Sequence, residues 1–183
     1  MPSNIEIKAR LADRPRVEAA VAAISDGPPR TLVQHDTFFN CRTGRLKLRA
    51  FGPGVGELIF YDRPDAATAR QSDYEVVPVA DPAALRTLLE RALGATGVVE
   101  KTRVLYLVGQ TRVHLDRVAG LGDFLELEVV LLPGQPAEEG LAIAADLMRR
   151  LGVDRGDLLS AAYADMLAAA VPPGPRARAI PGD

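Results

Sequence analysis

With 183 residues, 48% hydrophobic and 25% charged, the chain is long enough for one domain with a sizeable core, and its ordinary composition excludes a disordered or fibrous protein. Its 22 Lys and Arg against 24 Asp and Glu give a net charge of −2, which argues against general affinity for a nucleic-acid backbone. A single cysteine, Cys41, excludes an intrachain disulfide and a cysteine-based zinc site, and no apolar run approaches the ~20 residues needed to cross a bilayer.

From Asn4 to Arg10 the chain alternates, so Asn4, Glu6, Lys8 and Arg10 share one strand face and Ile5, Ile7 and Ala9 the other. This opening is a strand pattern rather than a charged-then-apolar leader, and the expected location is cytoplasmic, with neither nucleic acid nor membrane as partner. Asp13 is placed to cap a helix starting near Pro15, with Val17, Ala20, Val21 and Ile24 on one side and a stop at Gly27-Pro28-Pro29. Strands are expected over Thr31 to Asn40, Arg45 to Phe51 and Glu57 to Arg63, the last two joined by a turn at Gly52-Pro53-Gly54. Asp73 to Val79 reads as another strand. Asp81-Pro82 then opens a helix with Leu85, Leu88, Leu89 and Leu93 on one face, ended by Gly94. Three more strands are expected at Val98 to Val108, Thr111 to Val118 and Asp123 to Leu132, followed by helices at Pro136 to Leu151 and Asp154 to Ala170. No repeat or linker divides the chain, which predicts a single domain over residues 1–170 and a flexible tail over residues 171–183, rich in Pro, Gly and Arg.

One face of these strands collects Glu6, Lys8, Arg10, Lys47, Arg49, Arg63, Glu75, Lys101, Arg103, Arg112, Asp116, Glu126 and Glu128. On an open sheet they would form a solvated surface, the commoner fate of an amphipathic strand face. Such a face usually carries Thr, Ser and Gln. Here Arg, Lys and Glu dominate, with acids at the first and last strands and bases between them. That pattern favours an α+β fold: an antiparallel eight-stranded β-barrel, closed or nearly closed, with the charges in its tunnel and the helices packed outside.

The ordered motifs resemble the CYTH superfamily, the triphosphate tunnel metalloenzymes, which include class IV adenylyl cyclases, thiamine triphosphatases and inorganic triphosphatases. The hallmark of that family is an N-terminal Glu-x-Glu-x-Lys strand. Asn4-Ile5-Glu6-Ile7-Lys8 matches at the second Glu and the Lys, with Asn4 at the first position. Arg45-Leu46-Lys47-Leu48-Arg49, Tyr61-Asp62-Arg63, Asp73-Tyr74-Glu75, Glu100-Lys101-Thr102-Arg103, Arg112-Val113-His114-Leu115-Asp116 and Gly120-Leu121-Gly122-Asp123-Phe124-Leu125-Glu126-Leu127-Glu128 follow in the family's order and type.

The resemblance implies a small-molecule triphosphate bound in the tunnel and a divalent cofactor, Mg²⁺ or Mn²⁺. A triphosphate brings roughly four negative charges, which need several fixed cations. Lys8, Lys47, Arg49, Arg63, Lys101, Arg103 and Arg112 are the implied substrate-binding set, with Arg49, Arg103 and Arg112 as forked clamps. Each of these also has the plainer reading of neutralising a neighbouring carboxylate. Glu6, Asp116, Glu126 and Glu128 are the implied metal ligands, hard oxygen donors suited to such ions. The implied catalytic group is Glu6, Lys8, Arg49, Glu126 and Glu128. Asn4 lacks the charge of the family's first Glu, which weakens any second metal position.

Three activities are open to this reading: hydrolysis of tripolyphosphate or an organic or nucleoside triphosphate, formation of cyclic AMP and pyrophosphate from ATP, and phosphate binding without turnover. An interaction protein with an open charged sheet is the remaining alternative. Of the two histidines, His35 is a candidate base but reads rather as a surface or hydrogen-bonded residue, and His114, on the charged face, reads as a donor to phosphate or base, or a structural hydrogen bond. Tyr61 and Tyr74 fit the tunnel mouth or a sheet edge, and Tyr163 reads as core packing on an apolar helix. Leucines of the C-terminal helices serve equally to cover the barrel or to form a homodimer.

Overall fold

The computed structural model describes residues 3–62 and 70–170. Arg63 and the expected tail over residues 171–183 lie outside the described residues. Within them the elements run β1 (Ser3–Arg10), α1 (Arg14–Ala22), β2 (Arg30–Phe39), β3 (Arg45–Gly52), β4 (Val55–Asp62), β5 (Arg70–Val79), α2 (Pro82–Leu93), β6 (Ala95–Val108), β7 (Thr111–Val118), β8 (Gly122–Val130), α3 (Ala137–Leu151) and α4 (Tyr163–Ala170). The two expected aspartate caps form: Asp13 accepts from the Arg16 amide and Asp81 from the Ala84 amide, each followed by a proline in the first turn, where the missing N–H costs nothing.

All strand pairs are antiparallel, in the order β1-β5-β4-β3-β2-β6-β7-β8, and β8 pairs back onto β1. The β1–β8 seam spans seven residue pairs, from Asn4 opposite Val130 to Arg10 opposite Phe124. Among the described residues the β1–β5 seam spans four, from Ser3 opposite Asp73 to Glu6 opposite Arg70. The sheet is therefore strongly curled. Register shifts at Phe38/Phe39 and at Ala50/Gly52 sharpen the bend, as bulges do at barrel corners.

The outward faces of β1, β7 and β8 carry the apolar half of the alternation. Ile5, Ile7, Ala9, Val113, Leu115, Leu125, Leu127 and Val129 are buried there against Val17 and Val21 of α1 and Ala144, Leu147, Met148 and Leu151 of α3. Gly140 lets α3 sit directly on the sheet, since a Cβ there would stand 2.6 Å from Leu131 and 2.7 Å from Ile5. A second cluster of Phe38, Val99, Val118, Phe124 and Tyr163 joins one end of the barrel to α4.

The structure corrects three sequence expectations. Residues from Asp154 to Ala170 are not one helix: a 3-10 turn at Arg155–Asp157 is followed by extended chain, and α4 starts only at Tyr163. The break is caused by pairing with β1, where Leu158 bridges Ala9 and the Leu159 amide donates to the Lys8 carbonyl at 2.9 Å. Glu75 is exposed and does not line the barrel interior, because the neighbours Tyr74 and Val76 point inward. The leucine face of α2 is only partly covered, Leu88 being 61% and Leu93 39% exposed. No helix among the described residues is long and apolar enough to cross a membrane.

Candidate functional site

The polar half of the alternation lines a cavity of about 700 Å³ inside the barrel. Among the described residues on its wall, seven are Lys or Arg and five are Asp or Glu, so the interior carries a surplus of positive charge although the chain as a whole is acidic. Register explains the layering. Lys8, Glu126 and His114 are cross-strand neighbours on β1, β8 and β7, and Glu6, Glu128 and Arg112 form the adjacent row. The wall is uneven: β3, β4 and β5 add Phe51, Val55, Ile59, Tyr61, Tyr74 and Val76, and Leu32 and Leu105 extend that apolar patch on β2 and β6.

Arg49, Arg103 and Arg112 are each braced by a carboxylate. Arg49 Nε and Nη2 donate to Asp36 Oδ1 and Oδ2, both at 2.8 Å. Arg103 donates to Asp116 through Nε at 2.7 Å and Nη2 at 2.6 Å, and Nη2 also contacts Glu126. Arg112 Nε lies 3.0 Å from Glu128 Oε2, and its Nη2 is 3.4 Å from the Tyr74 hydroxyl. For Arg49 and Arg103 the two-point brace fixes the plane of the guanidinium, whereas Arg112 meets its carboxylate at Nε alone.

The lysines are held differently. Lys8 Nζ is 3.1 Å from Glu126 Oε1 and stands 4.0 Å from the centre of the Tyr163 ring. Lys47 and Lys101 share Asp36, at 3.2 and 4.0 Å, and Lys101 also reaches Asp116 at 3.6 Å. Burial, followed by repulsion from Arg49, brings the Lys47 ammonium down to about 7 despite Asp36. Burial and Arg103 also lower Lys101. The acids move the other way. Burial pushes Asp36 up, but Lys47 and then Arg49 outweigh it and hold the carboxyl well below its usual range. Against the same upward push, Lys8 and Arg103 hold Glu126 well below normal.

Three potential ligands converge among the described residues: His114, Glu126 and Glu128 present donor atoms within 4.8 Å of one another. His114 is lowered by burial and by Arg103, which favours the neutral imidazole, a form able to ligate. Its buried Nδ1 has no hydrogen-bond partner. An orphaned nitrogen facing two ionised carboxylates fits a divalent ion.

Of the residues expected from sequence, Glu6, Lys8, Lys47, Arg49, Lys101, Arg103, Arg112, Glu126 and Glu128 line one cavity. Asp116 does not face it. It lies fully buried behind Arg103, its oxygens occupied by that guanidinium and by the Tyr163 hydroxyl at 3.2 Å, and so orients the clamp. Arg10, expected on the charged face, leaves the cavity to donate to the Leu121 carbonyl. His35 points outward toward Glu100 at 3.7 Å.

Of the charged wall residues, Arg30, Asp36 and Glu57 were missed, and so was Tyr163. Asp36 sits between His35 and Thr37 in a strand whose inward positions otherwise read Arg30, Leu32, Gln34 and Phe38, so alternation showed no continuous charged stripe there. Tyr163 was assigned to the core. It is part of the core cluster and also lines the cavity, because the break before α4 turns it inward. Burial together with Glu126 and Asp116 raises its phenol well above the usual value, keeping it a proton donor to Asp116.

Comparisons with known proteins agree with this geometry. PH1012 from Pyrococcus horikoshii OT3 superposes with a TM-score of 0.78 at 26% identity, over 88% of this chain and 98% of that one. A protein from Vibrio parahaemolyticus described as a candidate adenylate cyclase gives 0.74 at 18% identity, over 90% and 97%. HpAC1 from Hippeastrum, described as having a dominant triphosphatase activity, gives 0.64 at 15% identity, over 91% and 95%. No match is found among curated proteins. The profile of the CYTH domain matches residues 3–163, most of the chain, and the protein therefore belongs to the CYTH domain family.

Proposed function

We propose that the protein binds a triphosphate inside the barrel and hydrolyses it with a divalent ion, Mg²⁺ or Mn²⁺. The observation that carries this reading is the set of three carboxylate-braced arginines, two buried lysines and the half-buried Lys47 on one cavity wall. Such a wall suits a polyanion far better than a neutral ligand. Arg49, Arg103 and Arg112 would clamp phosphate oxygens from different strands, and Lys8, Lys47 and Lys101 would add point charges between them. Holding the chain of phosphates straight favours in-line attack at a phosphorus, and the fixed donors stabilise charge that builds on the oxygens without reorganising.

Glu126, Glu128 and His114 would hold the ion, with Glu6 beside them on β1. When bound, the ion supplies Lewis-acid polarisation of the phosphate oxygens. The apolar and aromatic patch on β3, β4 and β5 favours a triphosphate with an organic group over bare tripolyphosphate.

The class IV cyclase reaction, giving cyclic AMP and pyrophosphate from ATP, uses the same clamps and is the second reading. It is favoured by that same organic-group patch. Phosphate and cyclic AMP are measured together over tripolyphosphate, thiamine triphosphate and nucleoside triphosphates with Mg²⁺ or Mn²⁺, with Glu126→Gln as control. Phosphate release lost in Glu126→Gln is the expected result, and cyclic AMP instead assigns the cyclase. Tight binding of tripolyphosphate without any turnover would overturn both in favour of a binding module.

A further inference from the structure

We propose that His114 is a direct nitrogen ligand of the divalent ion in this site, and that the resulting mixed nitrogen and oxygen donor set makes the protein select Mn²⁺ over Mg²⁺. This rests on the reading above that a divalent ion is bound between β7 and β8. His114 is 4% exposed, and its Nδ1 is buried without a hydrogen bond. That nitrogen stands 3.6 Å from Glu128 Oε1 and 3.9 Å from Glu126 Oε2, too far for a hydrogen bond to either. Ligands at ~2.1 Å from a common ion lie about 3 Å apart when adjacent and about 4 Å apart when opposite. Both nitrogen–oxygen separations fall within the span that an ion between the donors allows, and the three donor atoms together lie within 4.8 Å of one another.

The register supports a rigid arrangement. His114 pairs with Glu126 across β7 and β8, with Glu128 two residues further along β8, so all three project from strands rather than loops. On β1, Asn4 is a neutral amide with its buried Oδ1 unpartnered. The cavity thus offers a nitrogen donor on β7 and a neutral amide on β1. Mg²⁺ takes oxygen ligands almost exclusively and dehydrates reluctantly, whereas imidazole suits first-row transition ions.

Pulsed electron paramagnetic resonance on the Mn²⁺-loaded full chain, with and without tripolyphosphate, reads nitrogen bonded to the ion directly. The chain has two histidines, so His35→Gln leaves His114 as the only imidazole. The expected result is nitrogen hyperfine coupling in wild type and His35→Gln that changes isotope pattern when histidine is labelled with heavy nitrogen. In His114→Gln the coupling is lost, Mn²⁺ affinity falls about tenfold or more, and the preference for Mn²⁺ over Mg²⁺ narrows. The labelling arm uses the unmutated chain, so it stands even if His114→Gln does not fold. Bound Mn²⁺ without nitrogen coupling, or equal competition by Mg²⁺ in the wild type, overturns the inference and leaves the triphosphate reading intact. Failure of Mn²⁺ to bind at all, with tripolyphosphate present, overturns both.

Discussion

Asp36 and Arg49 meet across β2 and β3 in a two-point contact, 2.8 Å at each oxygen, and the same carboxylate also faces Lys47 and Lys101. One acid thus stands among three cations on a wall where it is 1% exposed. Removing it leaves those cations buried and facing one another.

Asp36→Ala is expected to cost about 3–5 kcal/mol, the range for breaking one side of a buried ion pair, and to lower the melting temperature by roughly 6–20 °C. Added tripolyphosphate should restore more stability to this variant than to wild type, because the ligand then supplies the missing negative charge. Calorimetry with and without the anion checks both statements.

Asp36 also sets a pH dependence. Its folded-state value lies well below the unfolded one, so its stabilisation is present above about 4 and is lost as pH falls through the folded value. Chemical denaturation between pH 7 and pH 3 should show stability falling at the acid end, with a shallower fall in Asp36→Asn.

Lys47 titrates at about 7, so near pH 8 it is mostly neutral in the free protein. A bound polyanion favours its charged form. Triphosphate binding at pH 8 should therefore take up close to one proton, and binding at pH 6 should take up much less at this residue. Calorimetry in buffers of different ionisation heat reads the uptake, and Lys47→Arg, which stays charged throughout, should remove it.

Arg103 and Arg112 separate stability from binding. The Arg103 side chain is 5% exposed and paired with two acids, so Arg103→Ala should cost about 3–5 kcal/mol of stability as well as affinity. The Arg112 side chain is 36% exposed, and Arg112→Ala should change stability by less than about 1 kcal/mol while weakening triphosphate binding. Equal destabilisation in thermal melts would refute the distinction.

Tyr163 has a ring and a hydroxyl with different duties. Tyr163→Phe removes only the donor to Asp116 and should cost about 1.5–3 kcal/mol, the range for a hydrogen bond to a charged group. Tyr163→Ala also removes the surface under Lys8 and the contact with Phe124, and should cost about 3–5 kcal/mol.

Much of the barrel was legible because period-two alternation survives wherever one strand face is apolar and the other charged. Ile5, Ile7 and Ala9 against Glu6 and Lys8 fixed β1, and Leu125 and Leu127 against Glu126 and Glu128 fixed β8. The same rule failed where tertiary contact overrides local pattern. Leu158 and Leu159 lie in an Ala- and Leu-rich stretch that reads as helix, yet they pair with β1 instead. Glu75 was placed inside because its strand parity was counted on charge, while the inward residues there are Tyr74 and Val76. Asp36 could not be found by periodicity, since a lone acid acquires its meaning only from the three cations that other strands bring to it.

The attachment of residues 158 and 159 to β1 has a consequence for how the chain comes to be folded. The first strand receives its partners from β5, then from β8, and lastly from the segment just before α4. The chain must be synthesised through Leu159 before that strand is fully paired, and every one of its bonds closes a long loop. Until then its edges stay available to other chains, so nascent protein is most vulnerable to mispairing at β1.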